Sequence, residues 1–261
     1  MDLGLSNKKA LVLGASRGLG GAIAQVLAEE GATVTAAARS GPADYEWMKS
    51  LAPEVRARVT AVHMDVADLA TIDAVVDGLL SHGGVDILVN NSGGPPPSDA
   101  MEARRADWIA QFEAMAVNLF HVTQRLLPPM IERKWGRVIT VASSGVEQPI
   151  PRLVLSNGIR NAIVGWSKTL SNEVAAHGIT VNMVLPGRIE TARLKQLDAA
   201  AAQRTGTTPE AVSKASLATI PAGRYGSPKE FADVVAFLAS ERASYVTGSK
   251  IRIDGGAVRH V

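Results

Sequence analysis

The chain has no cysteine, which rules out disulfides, thiolate catalysis and cysteine-bound zinc and suits a reducing compartment. It also lacks a long apolar run. The N-terminal stretch MDLGLSNKKALVLGAS carries only a short one that ends in a glycine turn, so neither a signal peptide nor a membrane span is predicted, and the expected compartment is the cytoplasm. Charge of one sign is scarce too: 27 Lys and Arg against 25 Asp and Glu leave a formal net charge of +2 with no basic run, so no nucleic-acid footprint is expected. The five histidines, His63, His82, His121, His177 and His260, stand at no metal-ligand spacing on a predicted helix, and no metal is expected. No repeat, low-complexity tract or linker divides the 261 residues, which read as one domain, 1–261.

What is present is ordinary globular composition, 46% apolar and 20% charged, arranged as short apolar runs alternating with helix-length stretches. Predicted strands are Ala10 to Leu13, Thr33 to Ala38, Val59 to Met64, Ile87 to Asn90, Val138 to Ala142, Thr180 to Leu185 and Ile251 to Ile253. Most are continuously apolar, as strands covered on both faces must be. Predicted helices run from Leu19 to Glu30, Asp68 to His82, Asp107 to Arg133, Arg152 to His177 and Lys229 to Ser240, the last opened by Ser227 as cap and Pro228 in the first turn. The pattern predicts an α/β Rossmann fold, a doubly wound parallel sheet of seven strands with helices on both faces. Residues 188–225 contain no strand but carry helical patches, and they read as a lid on the ligand side of the sheet.

The strongest local signal is Gly14-Ala15-Ser16-Arg17-Gly18-Leu19-Gly20, directly after the first strand and opening the first helix. Glycines there allow a tight turn and let backbone N–H groups and the positive helix end approach a pyrophosphate. The candidate ligand is a nicotinamide dinucleotide. At the end of the second strand an acidic residue would favour NAD(H), but the strand ends Ala38-Arg39-Ser40. Arg39, with Arg17 from the glycine turn, places cations where a 2′-phosphate would sit, so NADP(H) is expected over NAD(H).

The spacing Gly14, Gly18, Gly20, together with Asn90-Asn91-Ser92-Gly93, Asn118, Ser143 and Pro186-Gly187, resembles the short-chain dehydrogenase/reductase family over nearly the whole chain. The stretch from Arg224 to Glu230, Tyr245 to Gly248 and Asp254-Gly255-Gly256 is most similar to the 3-oxoacyl-carrier-protein reductase branch. The resemblance implies that Asp65 and Val66 bracket the adenine and that Asn91 and Gly93 line the adenosine side. It further implies that Pro186, Gly187, Ile189 and Thr191 hold the nicotinamide amide and pyrophosphate, and that Asn118 is a structural and proton-relay residue. It also implies a homo-oligomer, tetramer or dimer, assembled through the late helices.

The chain departs from that family where the chemistry is done. In the family a tyrosine, and a lysine four residues later, carry the proton on the helix after Ser143, and ungapped alignment places Ser156 and Arg160 there. The tyrosine–lysine spacing recurs only at Tyr45 with Lys49 and Tyr225 with Lys229, both off that helix, while Tyr245 is followed by Ser249. An aliphatic hydroxyl is a far weaker acid than a tyrosine lowered by a cation. Arg160 keeps a charge for nicotinamide-ribose hydroxyls, but with a pKa above about 12 it is expected to pass no proton.

Two readings follow. One is an NADP(H)-dependent oxidoreductase moving hydride between nicotinamide and the carbon of a small-molecule carbonyl or alcohol substrate. In it Ser143 polarises the carbonyl, Ser156, water or substrate supplies the proton, Arg160 orients the ribose and Asn118 holds a relay water. The other is a non-catalytic dinucleotide-binding module with a degenerate site.

Overall fold

The computed structural model describes residues 2–41, 43 and 45–260. The seven apolar runs form β1 (Lys9–Leu13), β2 (Thr33–Ala38), β3 (Val59–His63), β4 (Ile87–Asn90), β5 (Gly136–Val141), β6 (Ile179–Pro186) and β7 (Lys250–Ile253). They pair in parallel throughout, in the order β3-β2-β1-β4-β5-β6-β7. The order reverses between β1 and β4, and the crevice at the carboxyl ends of those strands is where such sheets bind ligands.

Continuous hydrophobicity follows from two cores. In β1, Val12 faces one core with Ile23 and Leu27 of α1 (Gly18–Glu29) and Phe231 and Val235 of α9 (Pro228–Ala239). Its neighbour Leu11 points the other way, toward Ile72 and Val76 of α3 (Leu69–Ser81), Val122 and Leu126 of α5 (Asn118–Arg133) and Leu170 of α6 (Val154–Val174). Each such buried aliphatic contributes about 1.5–3 kcal/mol, so a polar residue at any strand position would weaken one core or the other.

Between these elements lie α2 (Pro53–Arg56), α4 (Arg105–Phe112) and, after β6, α7 (Ala192–Thr205) and α8 (Pro209–Leu217), the last two falling in the strand-free stretch 188–225. Two helix expectations are corrected. The continuous helix from Asp107 to Arg133 is divided: α4 is joined to α5 through a π-helical turn, Glu113–Val117, whose extra residue leaves no breaker in the sequence to betray it. The helix expected from Arg152 starts at Val154, because Arg152 sits at φ +63°, in the left-handed region that cannot continue a right-handed helix. No helix among the described residues is long and apolar enough to cross a membrane.

The start of α9 is held by reciprocal bonds. Ser227 Oγ accepts from Glu230 N at 3.1 Å while the Glu230 carboxylate accepts from Ser227 N at 2.8 Å and pairs with Arg224 at 2.6 Å. The Arg224 side chain, then the Ser227 backbone, hold the Glu230 carboxyl down at about 2. Its contribution is therefore fully present above the ordinary carboxylate range and is lost as pH falls through about 2. Glu230→Gln is expected to lower the melting temperature at neutral pH, and the deficit to close as thermal scans are taken toward pH 2.

Candidate active site

The candidate residues gather at the carboxyl end of the sheet. Gly14 and Gly18 adopt φ +62° and +61°, the left-handed conformation that turns the chain from β1 into α1. Crowding adds a second reason for glycine: a β-carbon on Gly20 would lie 2.3 Å from the Gly14 carbonyl oxygen. Ser16 is half-buried in this turn, Leu19 likewise, and Arg17 is exposed at its tip.

Asn91, at the end of β4, supports the turn from below, its Nδ2 donating to Leu13 O at 3.0 Å and Gly14 O at 3.4 Å. The residue implied to line the adenosine side thus also braces the glycine turn. Asn118 is similarly engaged: Nδ2 donates at 2.8 Å to the carbonyl of Val66, in the loop where Asp65 Oδ1 accepts from Ala67 N at 3.0 Å. The π-helical turn ends one residue before Asn118 and sets the face on which it emerges.

At the end of β2 Arg39 is exposed, and neither Arg39 nor Arg17 pairs with a carboxylate among the described residues. Ser40 Oγ, beside Arg39, is buried without a hydrogen-bond partner among the described residues, and Ser92 Oγ, after β4, is the same. Sequence reasoning passed over Ser40, although the strand-end position was its signal.

After β6, Pro186 and Gly187 are half-buried. Gly187 N donates to Ile253 O at 3.0 Å, and a β-carbon at Gly187 would lie 2.6 Å from Asp254 Cα. Ile189 is buried against Gly226, and Thr191 caps α7 by accepting from Leu194 N at 3.3 Å. Among the described residues, and apart from the adjoining backbone, the Thr191 methyl alone comes within 4 Å of where a Gly18 β-carbon would stand, at 3.8 Å, and none comes within 4 Å of that position at Gly93. The open space beside Gly18 and Gly93, the positive helix end and the orphaned hydroxyls fit a dinucleotide.

At the end of β5, Ser143 Oγ accepts from Gly145 N at 3.0 Å. Ser156 and Arg160 are both buried on α6, and Arg160 Nε donates to Ser156 Oγ at 3.3 Å while Nη1 donates to Val141 O at 2.8 Å. Burial alone pushes the Arg160 guanidinium down from its usual range to about 10, which corrects the expectation of an undisturbed value above 12. It remains charged at neutrality.

None of the three tyrosines takes the missing place. Tyr45 is buried beneath β2 and β3, its hydroxyl 3.3 Å from Ala36 O, and desolvation raises it to about 12. Tyr225 bonds Ser213 Oγ at 3.1 Å below α7 and α8, and Tyr245 is fully exposed.

Three contributors gave no sequence signal beyond their residue type. Trp47 donates from Nε1 to Ala15 O at 2.9 Å and buttresses the glycine turn. Asn157 grips Ile150 at both ends, accepting from its N at 3.3 Å and donating to its O at 2.9 Å, which shapes the loop after Ser143. Arg193 of α7 donates to Pro95 O at 2.8 Å and ties the 188–225 segment to the proline loop.

This crevice, with a glycine turn under one strand and a serine-bearing helix beside the next-but-one, defines a dinucleotide-binding oxidoreductase. Residues 14–258 match a family described as enoyl-(acyl carrier protein) reductase. The 3-oxoacyl-[acyl-carrier-protein] reductase of Vibrio cholerae is 36% identical over 97% of this chain and 98% of its own, and that of Escherichia coli is 35% identical over the same shares. L-sorbose reductase from Gluconobacter frateurii, solved with NADPH and L-sorbose, superposes with a TM-score of 0.92 at 35% identity, covering 100% of both chains. YwfH, an NADPH-dependent reductase involved in bacilysin biosynthesis, superposes with a TM-score of 0.90 at 29% identity over 98% of this chain and 100% of its own. The chain belongs to the short-chain dehydrogenase/reductase family, in its 3-oxoacyl reductase-like branch.

The crowding at the glycine turn has a direct test. Gly20→Ala should cost about 1–3 kcal/mol in chemical denaturation and remove measurable dinucleotide binding in calorimetry, because the β-carbon meets backbone that cannot swing aside.

Proposed function

We propose that the chain exchanges hydride between NADP(H) and a small carbonyl or alcohol compound held over the end of β5. The observation that carries this reading is the placement of Ser143, just after β5, beside Ser156 and Arg160 of α6, with β5 next to β4, after which Asn91 braces the glycine turn. NADPH, when bound, supplies the hydride. The glycine turn would hold its pyrophosphate, Arg17 and Arg39 its 2′-phosphate, and Asp65 and Val66 its adenine. Gly93, Pro186, Gly187, Ile189 and Thr191 would position the nicotinamide half.

Ser143 and Ser156 then hold the substrate oxygen, each with its hydroxyl proton free to donate, and Arg160 holds positive charge behind Ser156. Asn118, bonded to Val66, ties α5 to the adenine loop, with any relay water lying beyond that contact. Residues 188–225 act as a lid, latched by Arg193 on Pro95 and stiffened by Arg188 pairing with Asp198 at 2.8 Å. The apolar groove between α5 and α6, lined by Leu127, Pro128, Ile131 and Trp166, supports a dimer or tetramer, and the absence of cysteine supports a cytoplasmic setting.

The second reading, a non-catalytic NADP-binding module, is favoured by one observation: no tyrosine reaches Ser156. NADPH oxidation with any carbonyl compound decides against it.

Two outcomes are expected. NADP(H) should bind more tightly than NAD(H), and Arg39→Ala should lose about 10- to 100-fold of that preference in calorimetry, the worth of a charge-assisted hydrogen bond. Equal affinities in the wild type would remove the assignment. Second, saturated 3-oxoacyl substrates should turn over very slowly, since general acid catalysis is worth about 100- to 10,000-fold, and Ser156→Tyr with Arg160→Lys should recover part of that in turnover while changing NADPH affinity little. Wild-type turnover of about 1 to 1,000 per second on such substrates would mean another proton source.

A further inference from the structure

Three cations around the mouth of the site are already paired: Arg152 with Asp99, Arg188 with Asp198 at 2.8 Å, and Lys250 with Glu147. Arg193 is not. No carboxylate among the described residues lies within ion-pair distance of it, yet its guanidinium is held in place. Nη2 donates to the carbonyl of buried Pro95 at 2.8 Å, and the group lies against Gly94, where a β-carbon would stand 3.5 Å from Nη2 and 3.8 Å from Nε. Nε and Nη1 donate to nothing among the described residues, so most of the planar fork is still free.

The loop that anchors it is the wall between the two sides of the crevice. It leaves Gly93, beside which the space for a dinucleotide opens, and reaches Ser98, whose N donates to Arg152 O at 2.8 Å and whose O accepts from Val154 N at 3.4 Å. Val154 begins α6, two residues before Ser156. Arg193 therefore stands on the span between the dinucleotide side and Ser156. Its charge does not serve the helix that carries it: in the first turn of α7, which has no acidic residue, a cation opposes the helix dipole. A fixed guanidinium with free donors and one surplus positive charge matches a planar, singly charged carboxylate one for one, whereas a phosphate dianion would leave charge unmet.

We propose that the carbonyl substrate carries a carboxylate and that Arg193 receives it, so that the site selects oxo acids over their uncharged counterparts. The inference rests on the reading of the site given under the proposed function, and its test needs no turnover. Binding is measured by calorimetry on the protein saturated with NADP+, which cannot reduce a carbonyl compound. The probes are 2-, 3-, 4- and 5-oxohexanoate, each beside its methyl ester, so that the separation of carbonyl and carboxylate is varied while the carbon chain is not. At least one acid is expected to bind about 10- to 100-fold more tightly than its ester, the worth of a charge-assisted hydrogen bond.

Arg193→Met should bring the acid-to-ester ratio to within about twofold of unity, and Arg193→Lys should keep part of it, since a lysine retains the charge but not the fork. Arg193 is exposed, so both variants are expected to fold and to bind NADPH as the wild type does. Equal binding of every acid and its ester, or a preference that survives Arg193→Met, overturns the proposal. So does a loss of NADPH affinity in Arg193→Met in step with the lost preference, which would give Arg193 to the dinucleotide instead. A chain that binds NADPH but shows no preference for the acids refutes this inference alone, and one that does not bind NADPH refutes both readings.

Discussion

The arrangement of the site depends on how closely the end of β4 approaches the turn that follows β1. One side-chain amide, Asn91 Nδ2, lies between the carbonyls of Leu13 and Gly14, and both Gly14 and Gly20 are glycines in part because a β-carbon would strike that amide, at 2.7 and 2.8 Å. The carbonyls drawn toward Asn91 and the Ala15 N–H, which donates to Ala37 O at 3.0 Å, are satisfied within the fold, and the start of α1 offers the N–H groups a pyrophosphate would need. Trp47, bonded to Ala15 O, closes the turn from its other side. The parallel register of β1 with β2 sets where Arg39 stands relative to the turn, and that of β1 with β4 and β4 with β5 where Ser143 stands.

Against this rigid half, the other half of the crevice carries stored electrostatic cost. A buried guanidinium bonded to a backbone carbonyl and a hydroxyl stabilises the fold less than an apolar side chain of its size would, and the same desolvation pushes its pKa down to about 10. The cost falls on α6 just where the family resemblance implies chemistry, whereas the ion pairs elsewhere, such as Arg125 with Asp73, lie toward the surface and are compensated.

Much of this was legible from residue order. Apolar runs without alternation meant strands covered on both faces, and Leu11 and Val12, pointing to opposite cores, show why. The glycine turn, the cation at the end of β2 and the lost tyrosine were equally plain. What was not legible were features set by three-dimensional approach. The sequence offers no sign that Asn91 braces the turn; Arg152 looks helical but is left-handed beside its ion pair with Asp99; Trp47 and Asn157 carry no pattern at all. The depressed pKa of Arg160 required knowing that it is buried with no carboxylate paired to it among the described residues.

The π-helical turn at Glu113–Val117 bears on how the family tolerates length changes. An α-helix advances about 100° per residue, so a turn widened by one residue rotates everything downstream by that angle relative to a regular helix. Deleting a single residue there would leave α5 helical and its apolar stripe displaced, and would carry Asn118 away from the Val66 carbonyl. Indels in this stretch are therefore under a constraint that substitutions are not, and an alignment that opens a gap between Phe112 and Asn118 would be describing a different geometry around the Val66 loop.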